Sequence, residues 1–140
     1  LSCVLLNDAI GDLDGIEHYL DFASNIGVTN VIFRQLMQTD PATTEPNFVT
    51  RFSDTQRVML EPILDQISAD SRFEFQRQIV GYYYYVEVWQ YRGMDVVFEE
   101  ADLAQLERTK RDDPGLIHEL IFHPNATLNS TWQPWDGILR

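Results

Sequence analysis

Apolar and polar positions along the first thirty-seven residues spell out a strand, a helix and a second strand. Leu1 to Leu6 is a short apolar run closed by Asn7-Asp8. Between Asp12 and Ile26, the residues Ile16, Tyr19, Leu20 and Ala23 recur at intervals of three and four, giving a helix with one buried stripe and Glu17, His18 and Asp21 largely off it. Asp12 suits the N-cap and Gly27 the stop. Val28 to Met37 is a second β-rich run. Two apolar strands joined through a helix predict parallel neighbours with a right-handed crossover. Ligands of such sheets lie beyond the carboxyl ends of the strands, here near Asn7 and Met37.

Further along, Asp40 to Asn47 holds two prolines, two threonines and no periodicity, which predicts an exposed loop. Ser53-Asp54-Thr55-Gln56 has the form of a capping box and predicts a helix running to about Ala69, kinked or distorted in its first turns by Pro62. Arg72 to Val80 alternates, with Phe73, Phe75, Arg77 and Ile79 on one side. Tyr82 to Tyr91 and Met94 to Phe98, joined at Arg92-Gly93, predict a hairpin, and Ala101 to Arg111 a short polar helix. Asp112-Asp113-Pro114-Gly115 is a break, Leu116 to Phe122 a further strand, and His123-Pro124-Asn125 a turn before Thr127 to Trp132. The layout is parallel β/α first and largely antiparallel afterwards.

A chain of 140 residues suits one compact domain, since about 70% of the unfolded surface is buried at this size. The formal charge of −12 opposes nucleic acid and anionic membrane surfaces, whose affinity for proteins comes from Lys and Arg. With one cysteine, Cys3, and no leader or long apolar span, the cytoplasm is the expected compartment. A chain that opens inside a strand at Leu1 reads as an excerpt of something longer. The triplets Asn125-Ala126-Thr127 and Asn129-Ser130-Thr131 read as turn residues rather than glycan acceptors.

Candidate chemistry is sparse. Cys3, His18, His118 and His123 are the soft or imidazole ligands, and no close pairing suggests a metal site. Cys3 in an apolar strand reads as a small buried hydrophobe, and no nucleophile elbow or phosphate loop is present. The pairs Glu99-Glu100 and Asp112-Asp113 read as solvated edges. In Tyr82 to Tyr91, Tyr82 and Tyr84 share one face with Val86 and Val88, while Tyr83 and Tyr85 share the other with Trp89 and Tyr91; core packing on both faces is favoured over a binding platform. Trp132 and Trp135 fit either role.

Leu1-Ser2-Cys3-Val4-Leu5-Leu6-Asn7, the Gly11-Asp12-Leu13-Asp14-Gly15 approach to a helix, and Val31-Ile32-Phe33-Arg34-Gln35-Leu36-Met37 resemble the last two strands of the radical S-adenosylmethionine barrel, in its MoaA-like branch. The resemblance covers residues 1–37 and extends to about Ala69; beyond that, Phe122 to Thr131 is similar to the family's Asp-Gly-x-Leu stretch. It implies an α/β fold in which a β-α-β end of a partial, TIM-like β/α barrel is followed by a largely antiparallel β extension. Residues 1–70 would be the last two β/α units, and 71–140 a C-terminal extension packed on them as a single compact unit. It implies that Met37 lies against the adenine of S-adenosylmethionine. For the parent it implies one four-iron four-sulfur cluster, and reductive cleavage of the cofactor to a radical that abstracts hydrogen from a substrate of unassigned identity. The family's cysteine triad is absent here, so this piece alone is expected to be inactive, with no cofactor or metal of its own and the N-terminal barrel half of its parent chain as partner. Ile32 stands where the branch usually has arginine, and Asn129-Ser130-Thr131 where an auxiliary-cluster cysteine would lie; both move the expected substrate away from GTP. The edge left by Leu1 to Leu6 suggests a homodimer of the excised piece. A reading of a different class is a stand-alone acidic α/β interaction module that binds a partner protein through Tyr82 to Tyr91.

One thiol cannot ligate a cluster. Anaerobic reconstitution of the 140-residue chain, followed by iron and sulfide analysis, is expected to give no stoichiometric uptake; a full cluster per chain would contradict this.

Overall fold

Asp12 starts the first helix as the pattern predicts. Its carboxylate accepts a hydrogen bond from the Gly15 backbone N–H at 2.9 Å, and helix α1 runs Leu13–Asn25. Gly27, at φ +80, lets the chain leave the helix through a conformation that side-chain-bearing residues resist. Strand β1 (Ser2–Val4) precedes α1 and strand β2 (Asn30–Arg34) follows it, and the two pair in parallel with Cys3 beside Phe33. The computed structural model describes residues 1–38, 45–81, 83–131 and 134–139. Most of the expected loop 40–47, Tyr82 and Trp132 lie outside them.

The second helical region departs from the sequence reading. Ser53 to Gln56 closes a helix instead of opening one: α2 spans Phe48–Gln56, and α3 spans Leu60–Ala69. The capping box is formed by Asn47, whose side-chain oxygen accepts from Val49 and Thr50 N–H at 2.8 and 3.1 Å, with Thr50 Oγ1 accepting from the Asn47 N–H at 2.9 Å. Threonine fills the place where glutamate or glutamine is the usual signal. Between the helices, Arg57 and Met59 are extended, and Arg57 forms an antiparallel bridge with Leu6. Pro62 falls in the first turn of α3, where a backbone N–H has no intrahelical partner, so the break comes before the proline.

Strands β3 (Phe73–Val80), β4 (Tyr84–Tyr91) and β5 (Met94–Ala101) form an antiparallel meander. Arg92 and Gly93, both at positive φ, make the two-residue turn between β4 and β5. The expected alternation of β3 holds for half its length. An irregularity between Phe75 and Arg77 puts Phe75 opposite Trp89 but Arg77 opposite Val88, so Arg77 and Ile79 lie on the other face from Phe73 and Phe75. The meander also docks in a way its antiparallel texture did not announce: β5 pairs in parallel with β2, giving one mixed sheet in the order β1-β2-β5-β4-β3.

One face of this sheet carries the core. Leu5, Val31, Phe33, Val96, Phe98, Trp89, Tyr91 and Phe73 meet Ile16, Leu20 and Ala23 of α1 and Leu60, Ile63 and Ile67 of α3. Phe33 and Phe98, neighbours in register, stack with ring centroids 5.5 Å apart, and Tyr19 meets Phe33 edge-on at 5.7 Å. Arg72 ties α1 to the start of β3 by donating to both Glu17 carboxylate oxygens, at 2.7 and 2.6 Å, and to Asp70, whose carboxyl it holds below the usual carboxylate range. The opposite face carries Ser2, Val4, Ile32, Arg34 and Glu99. Ser2, Val4 and Arg34 are exposed there, while Val88 further along is buried.

The chain divides into two compact units, Leu1–Gln105 and Leu106–Arg140, with helix α4 (Leu103–Asp112) running from the first into the second. In the second unit, the expected strand 116–122 shrinks to β6 (Ile121–Phe122), paired with β7 (Leu128–Asn129). A ladder needs a partner, and β7 ends where the Ser130 N–H turns to the Gly137 carbonyl; Leu116, Ile117 and Leu120 are exposed. The turn expected at His123-Pro124-Asn125 is present, with Asn125 Oδ1 accepting from Thr127 Oγ1 at 2.8 Å.

Leu20 is fully buried between α1 and the sheet, whereas Phe22 on the same helix is 53% exposed. Urea denaturation is expected to place Leu20→Ala about 2–5 kcal/mol below the parent chain and Phe22→Ala within about 1 kcal/mol of it. Equal losses would contradict the burial pattern.

Candidate functional site

Because β1, β2 and β5 run the same way, the segments leaving their carboxyl ends gather at one edge of the sheet. They are Leu5 to Asp8, Gln35 to Gln38 and Glu99 to Asp102. The Gln35 N–H donates to the Glu99 carbonyl at 3.0 Å, and Gln38 bridges Asp102 in parallel register. The end of α2 closes the same edge. Asn7 Nδ2 donates to the carbonyls of Thr55 and Arg57 at 3.0 and 3.3 Å. Asp8 and Gln56 exchange two bonds, with the Asp8 N–H donating to Gln56 Oε1 at 3.1 Å and Gln56 Nε2 donating to Asp8 Oδ2 at 2.7 Å.

Two side chains bind this rim together. Gln35, 5% exposed, accepts the Leu60 N–H at 2.8 Å and so caps α3, whose own N-cap Met59 offers no side-chain acceptor. Arg57 donates to Gln38 Oε1 at 2.6 Å and to Glu100 Oε1 at 3.5 Å. Met37 lies on the same edge. Its carbonyl accepts from Ser53 Oγ at 2.7 Å, and the residue is 49% exposed. Its backbone is thus tied while an apolar, flexible side chain stays accessible. Three residues before it, at the end of β2, Arg34 pairs with Glu99 at 3.0 Å across the open face; at this exposure the pair contributes at most about 1 kcal/mol.

On the core-bearing face, beside α3, a cleft of about 510 Å³ opens between the first turns of that helix and the adjoining ends of β3, β4 and β5. Tyr83, Tyr84 and Tyr85 line it, with Leu60 and Leu64 behind them. Gly81 permits this arrangement, since a Cβ there would stand 2.2 Å from Cε1 of Tyr84. Glu87 also faces the cleft, and its carboxylate is oriented by two donors, the Tyr85 hydroxyl and Trp89 Nε1 at 2.8 Å. Burial, followed by the bond to Glu87 and its negative charge, pushes the Tyr85 phenol from 10 up to about 12.

The residues singled out from sequence are dispersed. Cys3 is half-buried against the core, and burial pushes its thiol up. His18 is exposed beside Asp14, at 3.5 Å. In the second unit, His118 lies outside any strand, and His123 is buried with Nε2 3.3 Å from the Thr131 carbonyl oxygen. Asn129, expected as a turn residue, instead ends strand β7 and is fully buried, its Nδ2 donating to the Asp136 carbonyl at 2.9 Å. Trp135 is 80% exposed. Of the acidic pair Glu99-Glu100, both members engage arginines, on opposite faces of the sheet. Among the described residues, no group of three or more histidine, cysteine or carboxylate side chains is placed to hold a metal ion. Sequence reasoning missed Gln35, Gln56, Arg57 and the cleft carboxylates other than Glu100; position just after β2 was the available signal for Gln35.

Comparison with known proteins finds no matching family model, no matching curated protein and no matching solved structure.

The Tyr85 shift carries a sign for stability. The unfolded phenol releases its proton first, so the contribution of Tyr85 is intact below about 10 and is lost as pH rises to about 12. Burial also raises the Tyr91 phenol, so ultraviolet titration of tyrosinate is expected to show late-titrating phenols, of which the one near 12 moves down in Glu87→Gln yet stays above the ordinary value, because burial persists. No change in Glu87→Gln would contradict the assignment.

Proposed function

We propose that the chain is the C-terminal part of a MoaA-like radical S-adenosylmethionine protein, supplying two barrel strands, part of the adenine wall and the substrate end. The observation that carries the reading is the parallel β1-α1-β2 unit at the edge of the sheet, with its helix on one face and Met37 at the carboxyl rim. Cys3 of β1 and its flanking residues Leu1 and Leu5 bond toward β2, so the backbone groups of Ser2 and Val4 turn to the free edge, where a preceding barrel strand would pair. The face bearing Ile32, Arg34 and Glu99 would then line the barrel interior. In an isolated chain, the same edge would pair between copies.

The residues present fit the cofactor's adenine but not its cluster. Met37 offers an accessible thioether beside a backbone held by Ser53, and its carbonyl oxygen keeps a second lone pair for an exocyclic amine. Cys3, a single half-buried thiol, cannot hold a cluster, so those thiolates would come from elsewhere in the polypeptide. When bound, the cofactor supplies reductive hydrogen-atom abstraction. The chain's own contribution is to seat the adenine and to present the Arg34–Glu99 face to a substrate. Ile32 puts an apolar side chain where the branch uses arginine, and with a net charge of −12 this disfavours a triphosphate.

A second reading, an acidic protein-interaction module, was expected to bind through Tyr82 to Tyr91, but β4 lies between β5 and β3 and buries Val88, Trp89 and Tyr91, so the reading shifts to β3. That strand is the other edge of the sheet, and Phe75, Ile79 and Val80 are exposed on it.

The complete polypeptide carrying this chain, purified anaerobically, is expected to hold one four-iron four-sulfur cluster, to release 5′-deoxyadenosine from S-adenosylmethionine under reduction, and to leave GTP unconverted. Met37→Asp is expected to raise the cofactor's KM about tenfold. Absence of both cluster and cofactor cleavage would overturn the reading in favour of the interaction module; a second cluster or turnover of GTP would overturn the substrate assignment.

A further inference from the structure

We infer that the cleft between α3 and the ends of β3, β4 and β5 is a binding site for a small organic monocation of the ammonium type. This goes beyond the radical reading and does not rest on it, since the cleft opens on the core-bearing face, beside α3, and Arg34 and Glu99 lie on the other.

The volume, about 510 Å³, lies within the range of roughly 300–1,000 Å³ typical of small-molecule pockets. Its charge is one-sided. Glu61 and Asp65 from α3, Glu87 from β4, Glu100 from β5 and Asp102 after it all line the cleft, and among the described residues no lysine, arginine or histidine does. Part of this charge is already engaged: Arg57 reaches Glu100, Asp102 Oδ1 accepts the Gln105 N–H at 2.9 Å, and the amino end of α3 offsets a fraction. Glu61 and Asp65 remain without a basic partner among the described residues and stand four apart on one helix, a spacing at which like charges repel.

Carboxylates alone would make only a solvated rim. The tyrosines change that, because aromatic faces in a concave volume attract a cation while shedding its water. Tyr84 is seated by the bare backbone of Gly81, and Glu87 is fixed by the Tyr85 hydroxyl and the Trp89 indole, so the groups a cation would meet are preorganised. A metal ion fits less well, since no cluster of three ligands is at metal-binding spacing among the described residues. Spread charge, aromatic walls and a roomy volume suit an ammonium carrying alkyl groups.

The test is titration of the 140-residue chain with choline and, separately, with the uncharged isostere in which carbon replaces the ammonium nitrogen. It is followed by intrinsic fluorescence and ligand-observed NMR at about physiological ionic strength. Choline is expected to bind saturably and at least about tenfold more tightly than the isostere. Tyr84→Leu and the pair Glu61→Gln/Asp65→Asn are each expected to weaken choline about tenfold, whereas Glu74→Gln/Asp54→Asn, equal in charge but outside the cleft, leaves it unchanged. Equal affinity for the isostere, loss of binding in the control pair to the same extent, or no saturable binding to the parent chain would overturn the proposal. The isostere comparison needs no variant to fold.

Discussion

Strand β2 hydrogen-bonds to a parallel strand on each side, and that double pairing sets where everything else goes. Parallel neighbours deliver their carboxyl ends to one edge, so Asn7, Gln35 to Gln38 and Glu99 to Asp102 meet there although they are far apart in sequence. The same pairing lines up Val31 with Val96 and Phe33 with Phe98, and this makes one continuous apolar face for α1 and α3 to cover. Gln35 continues β2 past its last paired residue and uses its amide oxygen to cap α3, so the strand and the helix that walls the cleft are joined through one side chain. Losing that acceptor would leave the Leu60 N–H buried and unpaired, at a cost of about 1–3 kcal/mol.

The two faces of the sheet divide the chemistry. One is apolar and helix-covered, and at its upper end it gives way to tyrosines and carboxylates around the cleft. The other carries the exposed ion pair Arg34–Glu99 among smaller and apolar residues. Met37 stands at the rim, with its backbone tied to α2 through Ser53. Glu100 and Glu99, adjacent in the chain, therefore serve different faces, the first toward Arg57 and the cleft and the second toward Arg34.

What the sequence made legible was local. Three-and-four spacing with Asp12 and Gly27 at the ends marked α1, and alternation with Arg92-Gly93 marked the β4–β5 hairpin, because caps and turns are decided by neighbouring residues. Long-range choices were not legible. Nothing in Met94 to Ala101 distinguishes a strand that will lie parallel to β2 from one that will only close a meander, and the displaced pairing after Phe75 appears only when β4 is set against β3. Helix α2 was missed because Asn47 and Thr50 cap it without a glutamate, while Ser53 to Gln56 imitated a start at what is its last turn. The site followed the same division: a rim near Asn7 and Met37 could be expected from the strand ends, and Glu61 and Asp65 are neighbours within α3, but Glu87 joins them only through the packing of α3 on the meander.

The central claim is that Met37 forms part of an adenine wall. The most direct measurement is NMR of the complete polypeptide carrying isotope-labelled methionine methyl groups, with S-adenosylmethionine added anaerobically. The account predicts contacts between the Met37 methyl and the adenine protons, with the buried Met94 methyl, at the opposite end of β5, unmoved. A bound cofactor that leaves the Met37 methyl unperturbed would contradict it.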